Sequence, residues 1–332
     1  MTTYKDAGVD IDAGDDAVRR IAPLAQETFS PNVLTEIGAF GAFYEPDLSK
    51  YNEPVLVSSI DGVGTKLKVA VRAERYDTIG QDLVNHCVND IAVSGARPLF
   101  FLDYYGTGTL DPAVAEAVAE GLSAACQANG CALIGGEVAE MPDVYGGADF
   151  DLVGTIVGMA EKRQILDERN VEAGDVLLGL PSTGLHTNGY TLARQVLFDA
   201  YSVDDTPDAL GGETVGEALL RVHRSYLAII QRLMGEGRIH AAAHITGGGL
   251  HANTRRVVPA PLTISVDFDA WTRPPLFQLI QDRGDVPEED MRRTFNCGIG
   301  LVVILPDEDV AAAQQVVRDA GSESVVIGRV HR

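Results

Sequence analysis

The amino-acid sequence predicts an α/β (α+β) protein of two mixed α/β domains, residues 1–165 and 166–332. Three observations lead there. The chain has 332 residues, 45% of them hydrophobic, which is enough for two ordinary cores. Short apolar runs of strand length alternate with segments of helical periodicity in both halves. Between them, residues 161–175 gather charged and turn-forming side chains, as a connection between domains does.

The first strand is read at 54–60 (PVLVSSI), ending at a glycine-rich turn. A helix follows over 77–94, then a strand at 99–104. The next helix has Asp111 as N-cap, Pro112 at its first position and Asn129-Gly130 as its stop. Residues 131–134 read as a strand running into a turn at Gly135-Gly136, and 152–159 as another strand. In the second half, strands are expected at 176–180, 262–268, 299–305 and 324–330. Helices are expected after Asn188 and over 307–320, and residues 202–212 read as a loop.

Composition excludes several functions. The formal net charge of −22 opposes broad contact with nucleic-acid phosphates, which requires clustered Lys and Arg. No apolar run approaches the roughly 20 residues needed to span a bilayer. The first residues are polar and acidic, unlike a secretory signal, so the expected location is the cytoplasm. Cys87, Cys126, Cys131 and Cys297 match no zinc or redox spacing and read as core residues.

Neither GxxxxGK[ST] nor a strand-to-helix GxGxxG is present. In their place DGVGTK (61–66) ends the first strand. Gly62 and Gly64 let backbone N–H groups approach phosphate oxygens, while Thr65 and Lys66 add a hydroxyl and a cation. Asp61 suits Mg²⁺, which takes carboxylate and phosphate oxygens together. The same six residues also suit a tight turn with a solvated lysine.

On the 77–94 helix, Asp82, His86, Asn89 and Asp90 fall within roughly 100° of one another, at about 100° per residue. Leu83, Val84, Cys87, Val88 and Ile91 occupy the other side. The polar stripe reads either as a solvent face or as ligating groups, since Asp, Asn and His are weak helix formers to collect on a merely solvated face. Glu137, behind Gly135 and Gly136, offers a third carboxylate, or decorates a surface turn.

In the second half, STGLHTNGY (182–190) places His186 and Asn188 between a strand and a helix, where His186 suits proton movement or plain hydrogen bonding. HITGGG (244–249) precedes a helix, an arrangement that suits an anion at Gly247 and Gly248. His240 and His244 lie four apart, but the intervening alanines lack the Glu of HExxH, so zinc is not the reading. Arg292 and Arg293, in RRTFNCGIG, suit either a structural role or a phosphate.

Taken in order from YKDAGVDIDAG (4–14) through DGVGTK, Asn89-Asp90, GARP (95–98), FFLDYY (100–105), GGEVAEMP (135–142), STGLHTNGY, HITGGGL and RTFNCGIG, the chain resembles the phosphoribosylformylglycinamidine cyclo-ligase family from residue 4 to about 330. The stretch from Asp90 through Gly95-Ala96 to Pro98 is similar to a wider superfamily that includes thiamine-monophosphate kinase and a hydrogenase-maturation protein. The resemblance implies ATP- and Mg²⁺-dependent ring closure of formylglycinamidine ribonucleotide to aminoimidazole ribonucleotide, in purine biosynthesis. It further implies a homodimer whose N-terminal strands form a shared barrel. On its account Asp61, Asp90 and Glu137 hold Mg²⁺–ATP, and Lys5, Asp6, Gly62, Gly64, Thr65, Lys66, Gly135 and Gly136 line the nucleotide. Asp61, Asp90, His186 and Asn188 are the expected catalytic set, with His186 and Asn188 at the reacting amide. Gly247 and Gly248 would meet a phosphate of nucleotide or substrate. The alternative is another ATP-dependent amide-activating or phosphotransfer enzyme of the superfamily.

Overall fold

A computed structural model describes residues 2–332, which divide into two compact units. One holds the chain through Ile91 together with Arg97–Glu161; the other holds Ala92–Ala96 and Lys162–Arg332.

The first unit contains α1 (Ile11–Gln26), β1 (Pro54–Gly62), α2 (Leu67–Ala73), α3 (Asp77–Ala92), β2 (Arg97–Thr107), α4 (Pro112–Asn129), β3 (Ala132–Glu140) and β4 (Phe150–Glu161). Its four strands lie in the order β1-β4-β2-β3, antiparallel except for the parallel β2–β3 pair. That parallel pair is joined through α4, the long crossover such a pair requires. Asp111 caps α4 by accepting from the Ala113 N–H, Pro112 opens it, and Gly130 ends it at φ +67°.

Helix α3 buries Ile79, Leu83, Val84, Cys87, Val88 and Ile91 completely or nearly so. It ends at Ala92, two residues before the expected end, and Gly95 adopts a left-handed φ of +89°. Two glycines bring α3 and α4 together. A Cβ on Gly80 would stand 2.3 Å from the Val118 carbonyl, and one on Gly121 2.2 Å from that of Asp77.

The opposite face of this sheet is apolar and open. Leu56 and Ile60 of β1 are each 66% exposed. Register places Thr155 and Val157 of β4, then Leu102 and Phe100 of β2, on the same face.

β3 differs from expectation. The strand does not stop at Gly135-Gly136 but runs on to Glu140, pairing Gly136 with Asp103 and Glu137 with Tyr104. Gly136 marks close approach rather than a turn, since a Cβ there would sit 2.3 Å from an Asp103 carboxylate oxygen.

The second unit contains β5 (Val176–Pro181), α5 (Tyr190–Ala200), α6 (Val215–Leu220), α7 (Leu227–Gly235), β6 (Ala241–His244), α8 (Gly249–Arg255), β7 (Thr263–Val266), α9 (Pro275–Gly284), α10 (Glu288–Thr294), β8 (Ile299–Leu305), α11 (Val310–Asp319) and β9 (Val325–His331). Its sheet runs β6-β8-β5-β9-β7, every pair antiparallel. All seven residues of β8 are buried, as an unbroken IGLVVIL run demands. β6 was not expected from sequence, because three alanines carry little strand preference; pairing with β8 imposes it. Among the described residues no helix is long and apolar enough to cross a membrane.

Candidate active site

In the first unit, β1 delivers Asp61 and α3 delivers Asp90. The two carboxyls are hydrogen-bonded to each other, and Ser59 Oγ donates to Asp90 Oδ2 at 3.2 Å. Burial first, then the bond to Asp90 and its charge, push the Asp61 pKa up to about 7. His86 Nε2 stands 3.6 Å from Asp61 Oδ2. Two carboxyls in contact must share a proton or a cation, and an all-oxygen pair of this kind suits a hard divalent ion such as Mg²⁺. The α3 stripe is no solvent face: Asp82 and Asn89 are fully buried and His86 nearly so.

Other expected residues are placed differently. Lys66 is completely buried, and its ammonium lies 2.6 Å from Asp82 Oδ2 instead of being presented to a phosphate. Burial lowers its pKa, and the Asp82 charge offsets part of that shift. Gly62 ends β1, and Gly64 takes φ +69° at the start of the short 3-10 turn that carries Thr65.

Glu137 shares a row of the sheet with Tyr104, Val153 and Gly62. Three strand spacings, about 14 Å along a flat sheet, separate its backbone from that of Gly62. Gly135 and Gly136 line a pocket of about 90 Å³ with Asp103, Glu137 and residues of α1. Asp103 keeps partial access to solvent, yet packing around its carboxyl pushes the pKa up to about 7. A carboxylate inside the apolar run FFLDYY was the signal for this residue. Lys5 and Asp6 lie on an exposed N-terminal turn, where Lys5 pairs with Asp10 at 2.6 Å and Asp6 accepts from the Thr3 N–H.

In the second unit, His186 follows β5 in a loop held from several sides. Asn296 donates to the Gly184 carbonyl and accepts from Ser182 Oγ, so the RTFNCGIG segment braces STGLHTNGY. The Thr183 N–H donates to His186 Nε2 at 3.3 Å, which assigns the His186 hydrogen to Nδ1. His186 has φ +61°, a conformation that costs a non-glycine residue of the order of 1–3 kcal/mol and recurs at functional sites.

Two further histidines join it. The His223 ring stacks on His186 with centroids 4.0 Å apart and planes 17° from parallel, and His223 Nε2 lies 2.9 Å from His244 Nε2. All three are buried, and one ring nitrogen from each lies within 4.8 Å of the others. A Cβ on Gly300 of β8 would stand 2.5 Å from His186 Cε1, so only glycine admits this arrangement. Asn188 lies beside the triple glycine, its Oδ1 3.1 Å from where a Gly247 Cβ would stand. The loop carbonyls of Thr246, Gly247 and Gly249 all accept from Asn253 Nδ2. Gly248 also borders a cleft of about 660 Å³ with His251, Arg292 and Arg293.

Comparison with known proteins adds the following. Residues 47–160 match the family model described as AIR synthase related protein, N-terminal domain, and residues 172–332 its C-terminal domain. A phosphoribosylformylglycinamidine cyclo-ligase of Anaeromyxobacter sp. (strain Fw109-5) is 49% identical over 328 residues, covering 99% of this chain and 95% of the relative. Its counterpart from Nitrosococcus oceani is 46% identical, covering 99% and 91%. Among solved structures, thiamine-monophosphate kinase from Stenotrophomonas maltophilia K279a superimposes with TM-score 0.71 at 20% identity, over 95% of this chain and 93% of that one. The hydrogenase maturation protein HypE in complex with ATP gives 0.63 at 20% identity, over 92% and 83%. These structures share the fold.

Proposed function

The chain belongs to the phosphoribosylformylglycinamidine cyclo-ligases of the AIR synthase related family, and from that premise we propose that it closes formylglycinamidine ribonucleotide to aminoimidazole ribonucleotide with ATP. Identity of 49% over nearly the full length carries the reading. The chemistry is phosphorylation of the formyl amide oxygen, which turns a poor leaving group into phosphate. Attack by the amidine nitrogen on the same carbon follows. Because the nucleophile belongs to the same molecule, most of the entropic cost of meeting is already met.

Asp61 and Asp90 would hold Mg²⁺, which neutralises charge on the transferring phosphoryl group. Their shared hydrogen bond supports this, since a divalent cation replaces the proton that the pair otherwise needs. Glu137 would serve a second cation or another part of the nucleotide, in keeping with its distance along the sheet. Lys66, paired with Asp82, would brace the 3-10 turn that carries Gly64 and Thr65. His186 and Asn188 would sit at the reacting amide, with Gly247 and Gly248 offering backbone to a phosphate. A second copy of the chain would cover the open face around Leu56 and Ile60, which suits a homodimer.

The test is direct: purified protein with formylglycinamidine ribonucleotide, ATP and Mg²⁺ should form aminoimidazole ribonucleotide. No product where a known cyclo-ligase turns over would sink the reading. Asp90→Asn should lower kcat by about 10² or more, the loss typical of an electrostatic stabiliser. Near-normal turnover with unchanged Mg²⁺ dependence would remove Asp90 from the site.

A further inference from the structure

We propose that His223 is a positioning residue that shares one proton with His244 and fixes the ring of His186, so that the three histidines work as one proton-handling unit during ring closure. The inference rests on the cyclo-ligase reading and adds a residue to it. Nothing in the sequence singles out His223, which sits in the connection after α6.

The His223 and His244 Nε2 atoms lie 2.9 Å apart. Two hydrogens there would collide and two lone pairs would repel, so one ring donates and the other accepts. His223 Nδ1 lies 3.4 Å from Thr187 Oγ1, giving a chain His244–His223–Thr187. The His223 ring is fully buried, and its flat face covers His186. Stacked imidazoles resist carrying two positive charges at once, so a charge gained by either ring alters the other.

A metal centre is the competing use of three buried histidines. A metal must lie near the plane of every imidazole that binds it, at about 2.1 Å. The stacked, nearly parallel planes of His186 and His223 share no such point, and the geometry points to a proton path instead.

In ring closure the C–N bond forms and the C–O bond to the phosphoryl group breaks, its electron pair leaving with phosphate. The attacking nitrogen must then shed one proton. A proton reaching His244 Nδ1 is balanced by passage of the shared hydrogen to His223 Nε2, so that the pair holds one positive charge, steadied by the His223 Nδ1 bond to Thr187 Oγ1, until the proton is handed to the departing phosphate.

His223→Phe keeps a flat ring against His186 but cannot pass a proton. Its kcat should fall by roughly 10², the lower range for acid–base assistance, with KM for both substrates nearly unchanged. In the unmodified protein, ¹⁵N NMR should show scalar coupling between the Nε2 nuclei of His223 and His244, lost in His223→Phe. If His223→Phe does not fold, His223→Gln, which can bond His244 without relaying a proton, should show the same loss of kcat. Wild-type kcat in a folded variant, or no coupling across the pair, overturns the proposal. So does stoichiometric Zn²⁺ binding that depends on His223. Absence of any product with the unmodified enzyme would instead defeat the cyclo-ligase reading, while the NMR coupling still reports on the shared proton.

Discussion

The Lys66 ammonium and the Asp82 carboxylate meet at 2.6 Å with neither side chain exposed. Such a pair costs desolvation on both sides, and removing one partner strands the other charge in the core. Lys66→Met should therefore lower stability by about 3–5 kcal/mol in urea unfolding, and Lys66→Met with Asp82→Leu should recover most of it. A single variant as stable as the parent would show that the pair is no brace. Asp61 and Asp90, by contrast, retain partial access to solvent and share a hydrogen bond. His186 is buried, its left-handed backbone held by the Asn296 brace and admitted by the bare face of Gly300.

Helices α3 and α4 cross where Gly80 and Gly121 remove the side chains that would separate them. The contact is backbone on backbone, so no rotamer change relieves an added methyl. Gly121→Ala should destabilise by about 1–3 kcal/mol, the usual cost of overpacking. Gly14→Ala in α1 is the contrast. A Cβ there meets nothing within 4 Å, so the variant should gain about 0.5–1 kcal/mol from helix preference. Equal denaturation midpoints for the two variants would refute the crossing argument. The position of α3 matters beyond stability, because the same helix presents Asp90 and His86 toward the end of β1.

At the scale of the whole molecule, the open sheet face with Leu56 and Ile60 is an apolar surface that the core of its own unit leaves uncovered. If a second copy covers it, Leu56→Asp with Ile60→Asp should convert a dimer to a monomer in sedimentation; an unchanged dimer mass would place the interface elsewhere. Much of the architecture was legible from the chain alone. The caps of α4, the apolar run of β8 and the strand ending at DGVGTK are local signals, set by backbone preference and periodicity. The ordered motifs by themselves likewise identified the family. The extent of β3 was not legible, because Gly-Gly ordinarily ends a strand and here permits close approach to Asp103. Nor was the fate of Lys66, since a lysine beside glycines looks the same whether it faces a phosphate or a buried aspartate. Residues 186 and 244 lie far apart in sequence and come together where β5, β8 and β6 stand side by side, and His223 joins them from the connection after α6. Sequence determined most of the helices and strands and the order of the motifs they carry, because those depend on near neighbours. Tertiary structure alone decided which charges are buried together and which histidines share a proton, because those depend on packing between distant segments.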